Sequence, residues 1–183
     1  MKPGERIALV IDGPNFSHAC RLASVVVDWK RVLQHFSDGS PNARAYYYTA
    51  VKEAGEENPL ARTLDWMMYN GYKVVTKPMK EFRSAGTDEV KRKGNMDVEI
   101  AVDCVEMRDH IDRLILFSGD GDFRHLVASI QRKGVHVTVV ATHGVIADEL
   151  RREADTYIDV GSVRHQICRI PDASTGRELS LAG

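Results

Sequence analysis

Four aspartates stand where a carboxylate can do chemistry: Asp12, Asp97, Asp120 and Asp122. Asp12 ends the apolar run Ile7-Ala8-Leu9-Val10-Ile11 and precedes Gly13-Pro14-Asn15; Asp120 and Asp122 close a second run, LILFSGDGD, at 114–122. Two carboxylates about 4 Å apart repel by on the order of 4 kcal/mol at an effective dielectric of 20. Left alone, such groups protonate or splay apart. A divalent cation removes the conflict, and an all-oxygen site with few ligands suits Mg²⁺ or Mn²⁺. Such an ion activates water and steadies a phosphodiester under attack. Asn15 and Ser118 are neutral hydrogen-bonding groups beside the acids, suited to orienting water or substrate. Lys91, Arg92 and Lys93 come just before Asp97 in KEFRSAGTDEVKRKGNMD. They read either as a grip for backbone phosphate or as a solvated basic loop. Asp122 reads equally as a metal ligand or as the cap of the next helix.

These residues need a framework that brings them together. IALVID is too short for a helix and has no alternation, which predicts a strand buried on both faces. Asp12 then sits at the strand's carboxyl end, where open α/β sheets place their ligands. Gly13-Pro14 breaks the strand, and Asn15 is placed to cap the helix that follows. Asp28 reads as the cap of WKRVLQHF, whose Trp29, Val32, Leu33 and Phe36 fall at helical spacing. ARAYYYTAV, YKVVTKP and VHVTVVAT read as strands, with TYIDV a last short one. LARTLDWMMYNG is a helix expected to bury Leu60, Leu64, Met67 and Met68. GNMDVEIAVDCVEMR is another, with Val98, Ala101, Val102 and Val105 as its expected buried face. On it, Asp103 lies roughly 240° round from Asp97, away from any site that Asp97 joins.

Strands alternating with helices argue one three-layer α/β domain with a mostly parallel, Rossmann-like sheet. If it is doubly wound in the order 3-2-1-4-5, the first and fourth strands are neighbours at the switch point. Asp12 and Asp120 then face one crevice, with Asp122 beside them. The domain is expected to span 1–160. Periodicity is lost from Gly161, so 161–183 reads as a flexible C-terminal extension.

At 183 residues the chain is long enough to bury a real core, and 25 basic against 26 acidic residues give a net charge of −1. That balance excludes the strongly basic signature of a general nucleic-acid binder. Cys20, Cys104 and Cys168 are scattered and read as small buried thiols, neither disulfide framework nor zinc motif. No apolar run reaches membrane-span length and MKPGERIALVID lacks signal-peptide features, so a cytoplasmic location is expected. Tyr46, Tyr47 and Tyr48 are favoured as strand packing over a stacking surface for bases. Val25-Val26-Val27 is a candidate contact for a homodimer, with core packing favoured. A dehalogenase-type phosphatase would need an acid at position 14, where Pro14 stands. No GxGxxG or P-loop follows the first strand. GDGD lacks the other acids of a calcium loop. The histidines at 18, 125, 136, 143 and 165 form no ligand pair at helical spacing.

The words IDGPN, KGNMDVEIAVD and FSGDGDFRHLV, in this order, resemble the NYN domain of the PIN-like nuclease superfamily, in particular its bacterial LabA-like group. The resemblance runs from about Ile7 to Val160. It implies a PIN-like fold and a ribonuclease site dependent on Mg²⁺ or Mn²⁺, with RNA as the partner. The family's first aspartate falls on Asp12, its asparagine on Asn15 and its middle aspartate on Asp97; the SGD-x-D word supplies Ser118, Asp120 and Asp122. The implied metal ligands are Asp12, Asp97 and Asp120, with Asp122 a further ligand or a support. KGNMD carries one residue more between Gly94 and Asp97 than the family's commoner spacing. The rival expectation is a PIN-like module that binds RNA or protein for regulation without cutting.

Overall fold

Strand β1 (Ile7–Asp12) buries all six of its side chains. Ile7, Leu9 and Ile11 join one core cluster while Ala8 and Val10 join another. Both faces are interior, which is why the run shows no alternation of apolar and polar residues. A computed structural model describes residues 4–52, 59–83 and 90–169, with the backbone alone for 80–83 and 90–93.

In chain order β1 is followed by β2 (Ala43–Val51), β3 (Tyr72–Pro78), a hairpin of β4 (Lys80–Arg83) and β5 (Val90–Lys93), then β6 (Arg113–Phe117), β7 (His136–Ala141) and β8 (Thr156–Asp159). The main sheet runs β3-β2-β1-β6-β7-β8, with every pairing parallel. Counted within that sheet the order is 3-2-1-4-5-6. The first five places are those expected, and the sheet has a sixth strand at its edge that the expected order lacked. Four-residue β8 carries too little apolar signal to be assigned a place from sequence. Its pairing with β7, together with the Asp155 carboxylate accepting the Val137 N–H at 2.8 Å, fixes it there.

Helices α1 (Gly13–Leu22), α2 (Trp29–Ser37), α3 (Ala61–Tyr69) and α7 (Arg164–Ile167) cover one face of the sheet. Helices α4 (Asp97–Met107), α5 (Arg124–Gln131) and α6 (Asp148–Glu153) cover the other. Two expected helix faces differ from those observed. On α4 the buried residues are Ile100 and Cys104, while Val98 is 72% and Val102 50% exposed, with Val105 exposed too. This helix carries two apolar stripes, and the one continuing from buried Met96 through Ile100 to Cys104 meets the sheet. On α3, Leu64 and Met67 are buried, whereas Met68 and Leu60, the residue that precedes the helix, are exposed.

Residues 161–169 pack against the domain. Ile167 is fully buried, its carbonyl accepts the Asp28 N–H at 2.9 Å, and Val27 bridges to Cys168. The remainder of the expected extension, 170–183, lies outside the described residues. Val25 belongs to the core and Val27 is half-buried, so Val26 alone of that trio is exposed. Tyr47 and Tyr48 are buried and serve as packing; Cys20 and Cys104 are buried free thiols. Among the described residues no helix is long and apolar enough to cross a membrane.

Candidate metal centre

The ends of β1 and β6 are stitched together by side chains. Asp12 is itself the cap of α1: its Oδ1 accepts the Asn15 N–H at 3.4 Å. Asn15 therefore lies inside the first turn instead of capping it, and its Oδ1 accepts the Gly119 N–H at 2.9 Å. The Ser118 hydroxyl donates to Asp12 Oδ2 at 3.2 Å and accepts the Asp120 N–H at 3.2 Å. Asn15 and Ser118 thus clasp the two strand ends to one another. Asp120, not Asp122, supplies the local cap, its Oδ1 accepting the Asp122 N–H at 3.0 Å as the chain turns towards α5.

A further acid comes from α4. Asp97 is its first residue, and Asn95 holds it twice. Asn95 Oδ1 accepts the Asp97 N–H at 2.7 Å, and its Nδ2 donates to Asp97 Oδ2 at 2.5 Å. The extra residue in KGNMD is absorbed before the helix, and Asp97 still reaches the other acids. Asp97, Asp120 and Asp122 each offer an oxygen within 4.8 Å of the other two. Asp12 lies outside this trio and deeper, only 8% exposed.

The electrostatics follow from that packing. Burial, augmented by the fields of Asp97 and Asp120, pushes the Asp12 carboxyl up to about 6 against the pull of the Asn15 N–H and the Ser118 hydroxyl. Burial also raises the Asp97 carboxyl, with Asp120 and Asp122 adding to it and Asn95 and Lys77 opposing. Carboxylates at such separations repel by on the order of 3 kcal/mol per pair at an effective dielectric of 20, less where water reaches them. An oxygen-only donor set under this strain fits a hard divalent cation.

Lys77 also borders this site, though its sequence context does not mark it as a site residue. It is the penultimate residue of β3, at the same sheet edge, and its Nζ meets both Glu99 oxygens at 2.9 and 2.8 Å. Its position near a strand end was the available signal; Asn95, two residues before Asp97, had a comparable one. Asp103 turns away as expected, accepting the Tyr48 hydroxyl at 2.7 Å. Lys91, Arg92 and Lys93 lie on β5, and their side chains are outside the described residues. From Asp97 and Asp122 an open, apolar groove of about 400 Å³ runs between α4 and α5, walled by Val98, Ala101, Val105 and Leu126.

Asn15→Ala removes the acceptor of the Gly119 N–H and should cost about 1–2 kcal/mol, since it leaves a part-buried donor unpaired. Urea denaturation checks this. An unchanged midpoint would mean that the clasp contributes nothing to the junction.

Comparison with known proteins agrees with this architecture. The NYN domain profile matches residues 6–163. The chain is 35% identical over 162 residues to the Low amplitude and bright protein LabA of Synechococcus elongatus, covering 87% of this chain and 86% of that one. Its fold is similar to the crystal structure of a Vibrio parahaemolyticus protein of unknown function, VPA0982, with TM-score 0.68, 28% identity, and coverage of 87% of this chain and 95% of that chain. With its family profile spanning nearly all the described residues and its three sequence words meeting at one sheet edge, the chain belongs to the NYN domain family.

Proposed function

We propose that this protein is a metal-dependent ribonuclease that hydrolyses RNA phosphodiester bonds at the carboxyl edge of its sheet. The observation that carries the reading is the convergence of Asp97, Asp120 and Asp122 from two separate elements onto one point, with Asp12 beneath them. Membership of the NYN domain family, of the PIN-like nuclease type, supports it.

Asp97, Asp120 and Asp122 would hold Mg²⁺ or Mn²⁺. When bound, such an ion supplies an activated water and neutralises charge on the phosphodiester. Asn95 fixes the rotamer of Asp97, and Ser118 fixes the backbone that presents Asp120. Asp12 anchors Ser118 and extends the negative field into the interior, which strengthens cation affinity. Lys91, Arg92 and Lys93 are the proposed grip on flanking phosphate. The apolar groove beginning at Asp97 and Asp122 offers an unpaired nucleotide a wall beside the reacting phosphate, which favours single-stranded RNA.

The test is incubation of the protein with mixed structured and single-stranded RNA in Mg²⁺, Mn²⁺ or EDTA, with Asp120→Asn alongside. Cleavage should require metal and fall by on the order of a hundredfold or more in the variant. RNA retention in EDTA without cleavage under any metal would replace this reading with that of a binding module.

A further inference from the structure

The layer of helices α1, α2, α3 and α7 carries a second cavity, and it shares no residue with the carboxylate site or its groove. Its volume is about 540 Å³, within the range of small-ligand sites. Trp29, Lys30, Arg62, Trp66 and Arg169 line it. The chain has 2 tryptophans, and both are here. Trp29 is a fixed wall: its ring stands edge-on to Tyr47 at 5.3 Å and Tyr72 at 6.2 Å, with Phe16 at 6.0 Å. Trp66 is 38% exposed and, among the described residues, packs against no other ring.

The same cavity gathers three cations. Lys30, Arg62 and Arg169 are all exposed, and among the described residues none forms an ion pair. Elsewhere on the surface Arg6, Lys77, Arg113 and Arg124 each meet a carboxylate. The acid in this cavity, Asp28, is occupied in capping α2, accepting the Arg31 N–H at 3.2 Å. The cavity is therefore electropositive in a chain whose net charge is −1.

A bare anion has no use for two indoles, and an apolar ligand has no use for three unpaired cations. A planar aromatic base joined to a phosphate uses both: the base stacks on an indole, and the phosphate takes charge-assisted hydrogen bonds from guanidinium and ammonium groups. We propose that this cavity is a nucleotide-binding site, with the base against Trp66 and the phosphate on Arg62, Lys30 and Arg169. The nucleotide is either a free mononucleotide or one residue of an RNA strand; the recognising chemistry is the same.

Both tryptophans line the cavity, so their fluorescence reports on it directly. The full-length protein in EDTA, where no metal-dependent cutting intervenes, is titrated with adenosine 5′-monophosphate, with adenosine, and with a short single-stranded oligoadenylate RNA. A saturable quench is expected with the mononucleotide or the RNA, and adenosine should bind at least about tenfold more weakly for want of the phosphate. Arg62→Glu should weaken binding at least about tenfold, as should Lys30→Glu, a second variant in case the first fails to fold. Trp66→Phe should keep the affinity within about threefold, since a phenyl face still stacks, while removing part of the signal. A response to the mononucleotide identifies a free-nucleotide site; a response to the RNA alone identifies a strand contact. No saturable change with either, or affinity indifferent to both charge reversals in folded protein, overturns the proposal. Its failure leaves the nuclease reading untouched, because no cleavage is measured.

Discussion

Asp12→Asn is expected to lower RNA cleavage by on the order of a hundredfold or more and, in the same preparation, to make the metal-free protein more stable. The two effects share one cause. Asp12 is buried among other acids, and its carboxyl rises from 3.8 to about 6 in the fold. A carboxyl raised on folding makes the native state bind more protons than the unfolded one. Stability is therefore lost as pH climbs from near 4 through about 6, and the loss is complete above that. The size of the shift corresponds to about 3 kcal/mol at neutral pH. Asparagine keeps a side-chain acceptor for the Asn15 N–H and removes the charge. Urea denaturation in EDTA should thus show a gain of on the order of 1–3 kcal/mol at pH 7.5, falling to about half at pH 5. Saturating Mg²⁺ or Mn²⁺ should narrow the advantage, because the ion binds the native protein more tightly when the charge of Asp12 lies beneath its ligands. A variant that cuts RNA normally would remove Asp12 from the site. One that loses stability at pH 7.5 would show that no electrostatic strain is stored there.

Gly13→Ala is expected to destabilise the protein by about 2–3 kcal/mol and to impair cleavage with it. A Cβ on Gly13 would lie 2.6 Å from the Tyr47 ring Cζ and hydroxyl oxygen, and 2.8 Å from the Tyr48 carbonyl oxygen. Neither can give way readily. Tyr47 is 2% exposed with its ring against Trp29, and Tyr48 sits in β2 opposite Asp12 in the sheet register. The relief open to the backbone is to move the β1–α1 junction, which carries Asp12 away from Ser118. A thermal melt should fall by roughly 5–10 °C. Gly134→Ala is the control: a Cβ there meets nothing within 4 Å, and its φ of +81° leaves only local strain, about 1 kcal/mol with cleavage unaffected. Equal melting losses in the two variants would mean that the junction tolerates repacking and that its tight contact is unimportant.

Much of this molecule was legible in one dimension. The apolar run before Asp12 has no alternation because both faces of β1 are buried, so local composition alone identified a central strand. Two such runs ending in acid, separated by further strand and helix signals, were enough to place Asp12 and Asp120 at one switch point. Asp28 as a helix cap was equally local, since a cap and its helix are neighbours in sequence.

What the sequence left open depends on contacts between distant segments. Two apolar stripes on α4 are equivalent in pattern, and only docking on the sheet chose Met96, Ile100 and Cys104 over the valines. Asn15 offered one side chain with several local uses, and the approach of Gly119, a partner 104 residues away, determined which it serves. Residue type and position at element ends mark the four acids, but tertiary structure alone divides them into an outer trio and a buried Asp12. Residue types and periodicity specify which elements form and which ends carry acid, because those depend on neighbours along the chain. Depth, partner and electrostatic strain depend on what packs across from each group, and that exists only once the sheet has assembled.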